Sequence, residues 1–73
     1  MNNQPLRFLR RDQVERMTGL GTSSIYKYMN LDQFPRTVEI APRCVRWIES
    51  EVQDWMLEKA RRSKPDQFGP PTQ

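Results

Sequence analysis

Histidine is absent from this 73-residue chain, and Cys44 is its sole cysteine. One thiol cannot close an internal disulfide, and one cysteine without histidine cannot assemble a transition-metal ligand set. The fold must therefore rest on its apolar core, in a reducing, cytoplasmic setting. There is also no glycine-rich phosphate loop and no nucleophile beside an evident base, so the reading is not an enzyme. No cofactor or small-molecule site is evident. No apolar run approaches the ~20 residues of a membrane-spanning helix, and the N-terminus has no signal-peptide core. A membrane role is excluded on that reading.

What the chain does have is positive charge on one side of its length. The net charge is +3 and the isoelectric point is about 9.5. By segment the balance is +3 over residues 1–30, +1 over 31–48 and −1 over 49–73. A basic excess concentrated in the first two thirds favours a polyanionic partner. At this length the chain forms one domain, near the lower limit for folding on a core of its own.

A helix-turn-helix is legible between Val14 and Met29. The first helix runs from Arg10 or Arg11 to Thr18, with Val14 and Met17 inward and Leu9 packing just ahead of it. Gly19 ends it, because a residue just past a helix adopts the left-handed conformation that glycine takes without steric cost. Leu20 plugs the gap between the helices, and a hydroxyl of Thr22 or Ser23 is expected to cap the second one. That helix spans Thr22 to Asn30. Ile25, Tyr28 and Met29 share its inner face; Ser23, Ser24, Tyr26, Lys27 and Asn30 lie opposite. The outer face has no acid and can hydrogen-bond throughout, which suits a helix lying in a DNA major groove.

Downstream, Asp32-Gln33-Phe34-Pro35 breaks the helical pattern. Alternation then predicts a two-stranded hairpin turning at Ala41-Pro42-Arg43, with Val38, Ile40, Val45 and Trp47 inward and Thr37, Glu39, Cys44 and Arg46 outward. Arg7-Phe8-Leu9 is a short extended piece able to join that sheet. Ser50-Glu51-Val52-Gln53 matches a capping box and predicts a third helix to about Arg62, with acids near its start and bases near its end. Trp47 and Trp55 read as core. The domain plan is a flexible 1–6, a DNA-binding domain over 7–62 and a disordered tail over 63–73, rich in proline and polar residues. The architecture expected is mainly α with a small β-hairpin wing, a winged helix-turn-helix.

These motifs in this order resemble the AlpA family of small phage and prophage regulators, which is related to MerR-type winged helix-turn-helix proteins and to excisionases. The resemblance rests on Leu9-Arg10-Arg11-Asp12-Gln13-Val14, Thr18-Gly19-Leu20 and Ser23-Ser24-Ile25-Tyr26-Lys27. It continues through Phe34-Pro35, Pro42-Arg43-Cys44-Val45-Arg46-Trp47 and Ser50-Glu51-Val52-Gln53-Asp54-Trp55, covering about Arg7 to Lys59. It implies a sequence-specific binder of double-stranded DNA that regulates transcription in a phage or mobile element. The alternative it implies is an excisionase that shapes DNA for an integrase, so RNA polymerase or an integrase is the protein partner to expect. Gly21-Thr22 stands where the family commonly has a serine and a basic residue, which removes one implied phosphate contact.

The candidate DNA-contacting residues follow from placement. Thr22, Ser23, Ser24, Tyr26 and Lys27 lie at the start and on the outer face of the second helix, where free N–H groups attract phosphate. Tyr26 either donates its hydroxyl to a phosphate or lies sideways over the hairpin. Arg36, Arg43 and Arg46 are assigned to the wing, whose arginines suit a narrow minor groove; Arg46 has the alternative of pairing with Glu39. Arg10 and Arg11 open the first helix, where positive charge opposes the helix dipole and so points to a use other than stability. A protein-binding adaptor built on Trp55, Met56, Leu57 and the tail is the competing class. The third helix lacks the length of a MerR dimerisation helix, so a monomer or weak dimer that self-associates on DNA is expected.

Overall fold

The computed structural model describes residues 6–63, and the readings of residues 1–5 and 64–73 fall outside them. Six elements follow one another: β1 (Phe8–Leu9), α1 (Arg11–Thr18), α2 (Thr22–Asn30), β2 (Val38–Ala41), β3 (Cys44–Ile48) and α3 (Glu49–Ser63). β1 and β2 both pair antiparallel with β3, giving a three-stranded sheet in the order β1-β3-β2. The helices close over one face of it. Leu9, Val14, Ile25, Phe34, Trp47 and Val52 are buried, one or more from nearly every element. Met17, Leu20, Tyr28, Met29, Trp55 and Met56 pack around them.

The turn of the helix-turn-helix is held from within. Gly19 has φ +78° and its N–H donates to the Glu15 carbonyl. The Thr18 hydroxyl donates to the Val14 carbonyl at 2.8 Å and accepts the Leu20 N–H at 3.2 Å. At the other end of α1 the Gln13 side chain accepts the Arg10 N–H at 2.8 Å. Open space surrounds the position of a Cβ at Gly19. Gly19→Ala should therefore cost only the left-handed conformation itself, about 1–2 kcal/mol. A thermal melt checks this, since an unchanged midpoint would mean that the turn relaxes freely.

α2 begins differently from expectation. Gly21, not a hydroxyl residue, is the N-cap and it offers no side-chain cap. Thr22 is already helical, and its hydroxyl donates instead to the Glu15 carboxylate of α1, a charged and stronger acceptor. At its C-terminus α2 ends in a Schellman motif. Gln33 N–H donates to the Tyr28 carbonyl and Asp32 N–H to the Met29 carbonyl, with Asp32 left-handed at φ +58°.

Two tryptophans then anchor the segment leading to the hairpin. Trp55 Nε1 donates to the Gln33 carbonyl at 2.6 Å and Trp47 Nε1 to the Pro35 carbonyl at 3.0 Å. Phe34 lies between those carbonyls in the chain, and its ring meets Trp55 edge-on at 4.7 Å. The backbone of this connector is thus satisfied by indoles, which lets Phe34 enter the core. Trp47 is buried as expected, whereas Trp55 is only half-buried at the edge of the core.

The hairpin register corrects the alternation read from the sequence. Glu39 opposes Val45 and Val38 opposes Arg46, with a bulge between Glu39 and Ala41. Opposed residues share a face, so Val38 lies with Arg46 away from the Trp47 face, and Glu39 lies on it. Ile40 falls in the bulge and is exposed; Val45 shares the Trp47 side yet is 41% exposed. The reason is length: helices cover the sheet where β1 pairs with β3, at Leu9–Trp47 and Phe8–Ile48, and the hairpin tip projects past them. The capping box at Ser50 is likewise absent. α3 starts at Glu49 directly from β3, with the Glu49 N–H donating to the Arg7 carbonyl at 2.8 Å. Ser50 therefore already lies inside the helix and cannot be its N-cap.

Candidate nucleic-acid interface

The exposed side of α2 carries Ser23, Tyr26, Lys27 and Asn30, spaced as one helical stripe. Ser24 is half-buried at its flank and Thr22 is exposed at the helix start. No acid occupies the first turn. The N–H groups of Thr22, Ser23 and Ser24 precede the first intrahelical donor, Ile25, which bonds to the Gly21 carbonyl. Uncapped amides at a helix start form an anion-binding end.

Tyr26 joins this stripe to the hairpin. Its ring lies 6.3 Å from that of Trp47 at 58°, while 40% of the residue stays exposed. The sideways placement over the sheet is therefore realised, with part of the residue left at the surface. Below the tip, Val45 and Glu39 continue the Trp47 face outward, so the α2 stripe, Tyr26 and the inner hairpin face adjoin one another.

Ion pairing sorts the remaining cations. Arg10 pairs with Asp12 at 3.2 Å, Arg11 with Glu15 at 3.4 Å and Arg36 with Asp32 at 2.6 Å. The hydrogen bond from Arg10 is the main reason the Asp12 carboxyl is held below its ordinary range. Arg7 pairs with Glu49, Arg16 with Asp12 and Arg62 with Glu58. Lys27, Arg43 and Arg46 have no carboxylate within pairing distance among the described residues, nor do Lys59 and Arg61 of α3. Lys59 sits over the Trp55 ring at 5.7 Å. Among the described residues, the unpaired cations outside α3 are thus one on the α2 stripe and two on the hairpin.

Two of the sequence placements change. Arg36 lies in the connector before β2, paired to Asp32, and not on the wing. Arg46 does not pair with Glu39, because the register puts them on opposite faces; its Nη1 donates to the Val45 carbonyl at 2.8 Å. Arg11 and Thr22 converge on the Glu15 carboxylate, which ties α1 to the start of α2. Sequence reasoning passed over Glu15 and gave Glu39 the wrong partner, since its Oε2 accepts the Arg43 N–H at 3.3 Å. The true partner had a visible signal: an acid four residues before the tip of a proline turn. Among the described residues no cluster of metal-ligating side chains occurs, and no helix is long and apolar enough to cross a membrane.

A helix-turn-helix whose second helix is flanked by a β-hairpin defines the winged helix-turn-helix class. Within it, the family model described as "Prophage CP4-57 regulatory protein (AlpA)" matches residues 7–60, and the chain belongs to that family. It is similar to the DNA-binding transcriptional activator AlpA of Escherichia coli (strain K12), with 29% identity over 68 residues, covering 84% of this chain and 97% of that protein. It is also similar to an uncharacterized protein, ORF88, of Enterobacteria phage P4, with 40% identity over 50 residues, covering 68% of this chain. That alignment spans 57% of the phage protein's length. No solved structure matches the chain.

Proposed function

We propose that this protein is a sequence-specific double-stranded DNA-binding regulator of transcription in a phage or mobile element. Its α2 stripe enters the major groove and its β2–β3 hairpin acts as a wing on the adjoining backbone or minor groove. The observation that carries this reading is that Lys27, Arg43 and Arg46 stand without carboxylates among the described residues, on the two elements that a winged helix-turn-helix presents to DNA. The relative from Escherichia coli, a DNA-binding transcriptional activator by name, and the phage relative support the same class and setting. Short side chains at Ser23 and Ser24 allow close approach of the helix, and the open amides of its first turn suit a phosphate. Arg10, Arg11 and Arg36 serve as backbone contacts by exchanging exposed carboxylates for phosphate. Such surface pairs contribute only about 0–1 kcal/mol and yield readily.

Mutating the two elements separates their roles. Lys27→Ala should weaken binding to the preferred site by about 1–3 kcal/mol and relax the preference at one base position. Arg43→Ala should weaken all duplexes more evenly, as loss of a backbone contact would. Site selection from random duplexes with each variant reads both effects. Parental affinity and preference in both folded mutants would place the DNA surface elsewhere.

A further inference from the structure

The tip of the hairpin holds a conformation its residue type does not favour. Arg43 has φ +60°, in the left-handed region where a Cβ crowds the following carbonyl. Turns with such a residue after proline ordinarily place glycine or asparagine there. Here an arginine takes the position, exposed and with no ion pair to its guanidinium among the described residues. A strained position occupied by a bulky charged residue needs a structural support.

Glu39 supplies it. Its Oε2 accepts the Arg43 N–H at 3.3 Å, across the bulge that interrupts the β2–β3 ladder between Glu39 and Ala41. No cation pairs with that carboxylate among the described residues. It points from the same face as Val45 and Trp47, the side adjoining Tyr26 and the α2 stripe. An acid there repels a phosphate backbone.

We propose that Glu39 is a positioning residue. Its carboxylate clamps the Arg43 amide, holds the tip left-handed and so aims the guanidinium at the DNA backbone. This rests on the DNA-binding reading above. Two opposite effects then compete at one side chain, repulsion of phosphate and orientation of Arg43, and the variants below separate them. Glutamine separates them, since it keeps an acceptor oxygen and drops the charge.

The test uses the full chain with Glu39→Ala, Glu39→Gln, Arg43→Ala and the Glu39→Ala, Arg43→Ala pair. Duplex affinity at fixed salt and hydrogen exchange of the Arg43 amide are both measured. Glu39→Ala is expected to speed exchange at Arg43 and to weaken duplex binding about fivefold, the worth of one exposed hydrogen bond. Glu39→Gln should keep the amide protected and bind at least as tightly as the parent. In the Arg43→Ala background the loss from Glu39→Ala should vanish, because no guanidinium remains to aim. Tighter binding by Glu39→Ala, an equal loss in both backgrounds, or unchanged Arg43 exchange would overturn the proposal. A parent that binds no duplex at all would instead sink the DNA-binding reading, and amide exchange would then decide the clamp by itself.

Discussion

Trp47→Ala is expected to leave the domain at or beyond the edge of unfolding. The indole is 1% exposed and lies where β3, α1 and α2 meet the connector after α2. Truncating a buried tryptophan costs about 3–5 kcal/mol in lost transfer energy and cavity. The substitution also strips the Pro35 carbonyl of its donor, because Trp47 Nε1 makes that bond at 3.0 Å. A chain this small has only about 4–11 kcal/mol in total at ordinary per-residue stabilities, so a large share of it goes. Thermal and urea unfolding followed by circular dichroism measure the loss. Trp47→Phe, which keeps most of the ring and forfeits the hydrogen bond, should sit between the two. A Trp47→Ala melt within a few degrees of the parent would show that the packing of the sheet face is misassigned.

Duplex binding should fall steeply with salt. Each phosphate neutralised by a cation releases counterions, and each such contact adds about 0.9 to the slope of log affinity against log salt. Phosphate contacts by Arg43 and Arg46 alone give a slope of about −1.8, or a loss of roughly 12-fold between 50 and 200 mM salt. If Arg10, Arg11 and Arg36 also exchange Asp12, Glu15 and Asp32 for phosphate, the slope steepens toward about −4.5. Fluorescence anisotropy of a labelled duplex across that salt range reads the slope directly. A flat profile would remove the DNA-binding reading and favour the protein-binding alternative raised by Trp55, Met56 and Leu57.

The helix-turn-helix was legible because its signals are local. Gly19 had to be left-handed, Ile25 and Met29 had to face inward together, and the boundaries of α2 at Thr22 and Asn30 agree with expectation. The hairpin was legible as a turn at Pro42-Arg43 but not in its facing. A bulge at Ile40 shifts one strand against the other, and apolar alternation cannot report a one-residue slip beyond the covered part of a sheet. Caps were misread for a related reason. Thr22 and Ser50 both look like N-caps in isolation. The first is drawn to Glu15 across the turn, and the second is overrun by a helix that starts on the sheet ladder at Glu49.

By itself, then, the sequence determined the class of fold, the two helices and their turn, the order of the elements and the family. Those rest on glycine and proline positions, helical spacing and the order of short motifs, all of which act within a few residues of one another. Arg10, Arg11 and Arg36 find carboxylates two to four residues away, pairings that are local once the helices form. Only the tertiary structure decided that Arg46 stands apart from Glu39, because the strand register puts the two on opposite faces of the hairpin. It also decided that Tyr26 leans on Trp47 and that Glu39 grips the wing tip, because those contacts depend on strand register and on where α2 lies against β3. Charge is written in the chain residue by residue. Which charges remain free for a partner is a property of the neighbours that folding brings to them.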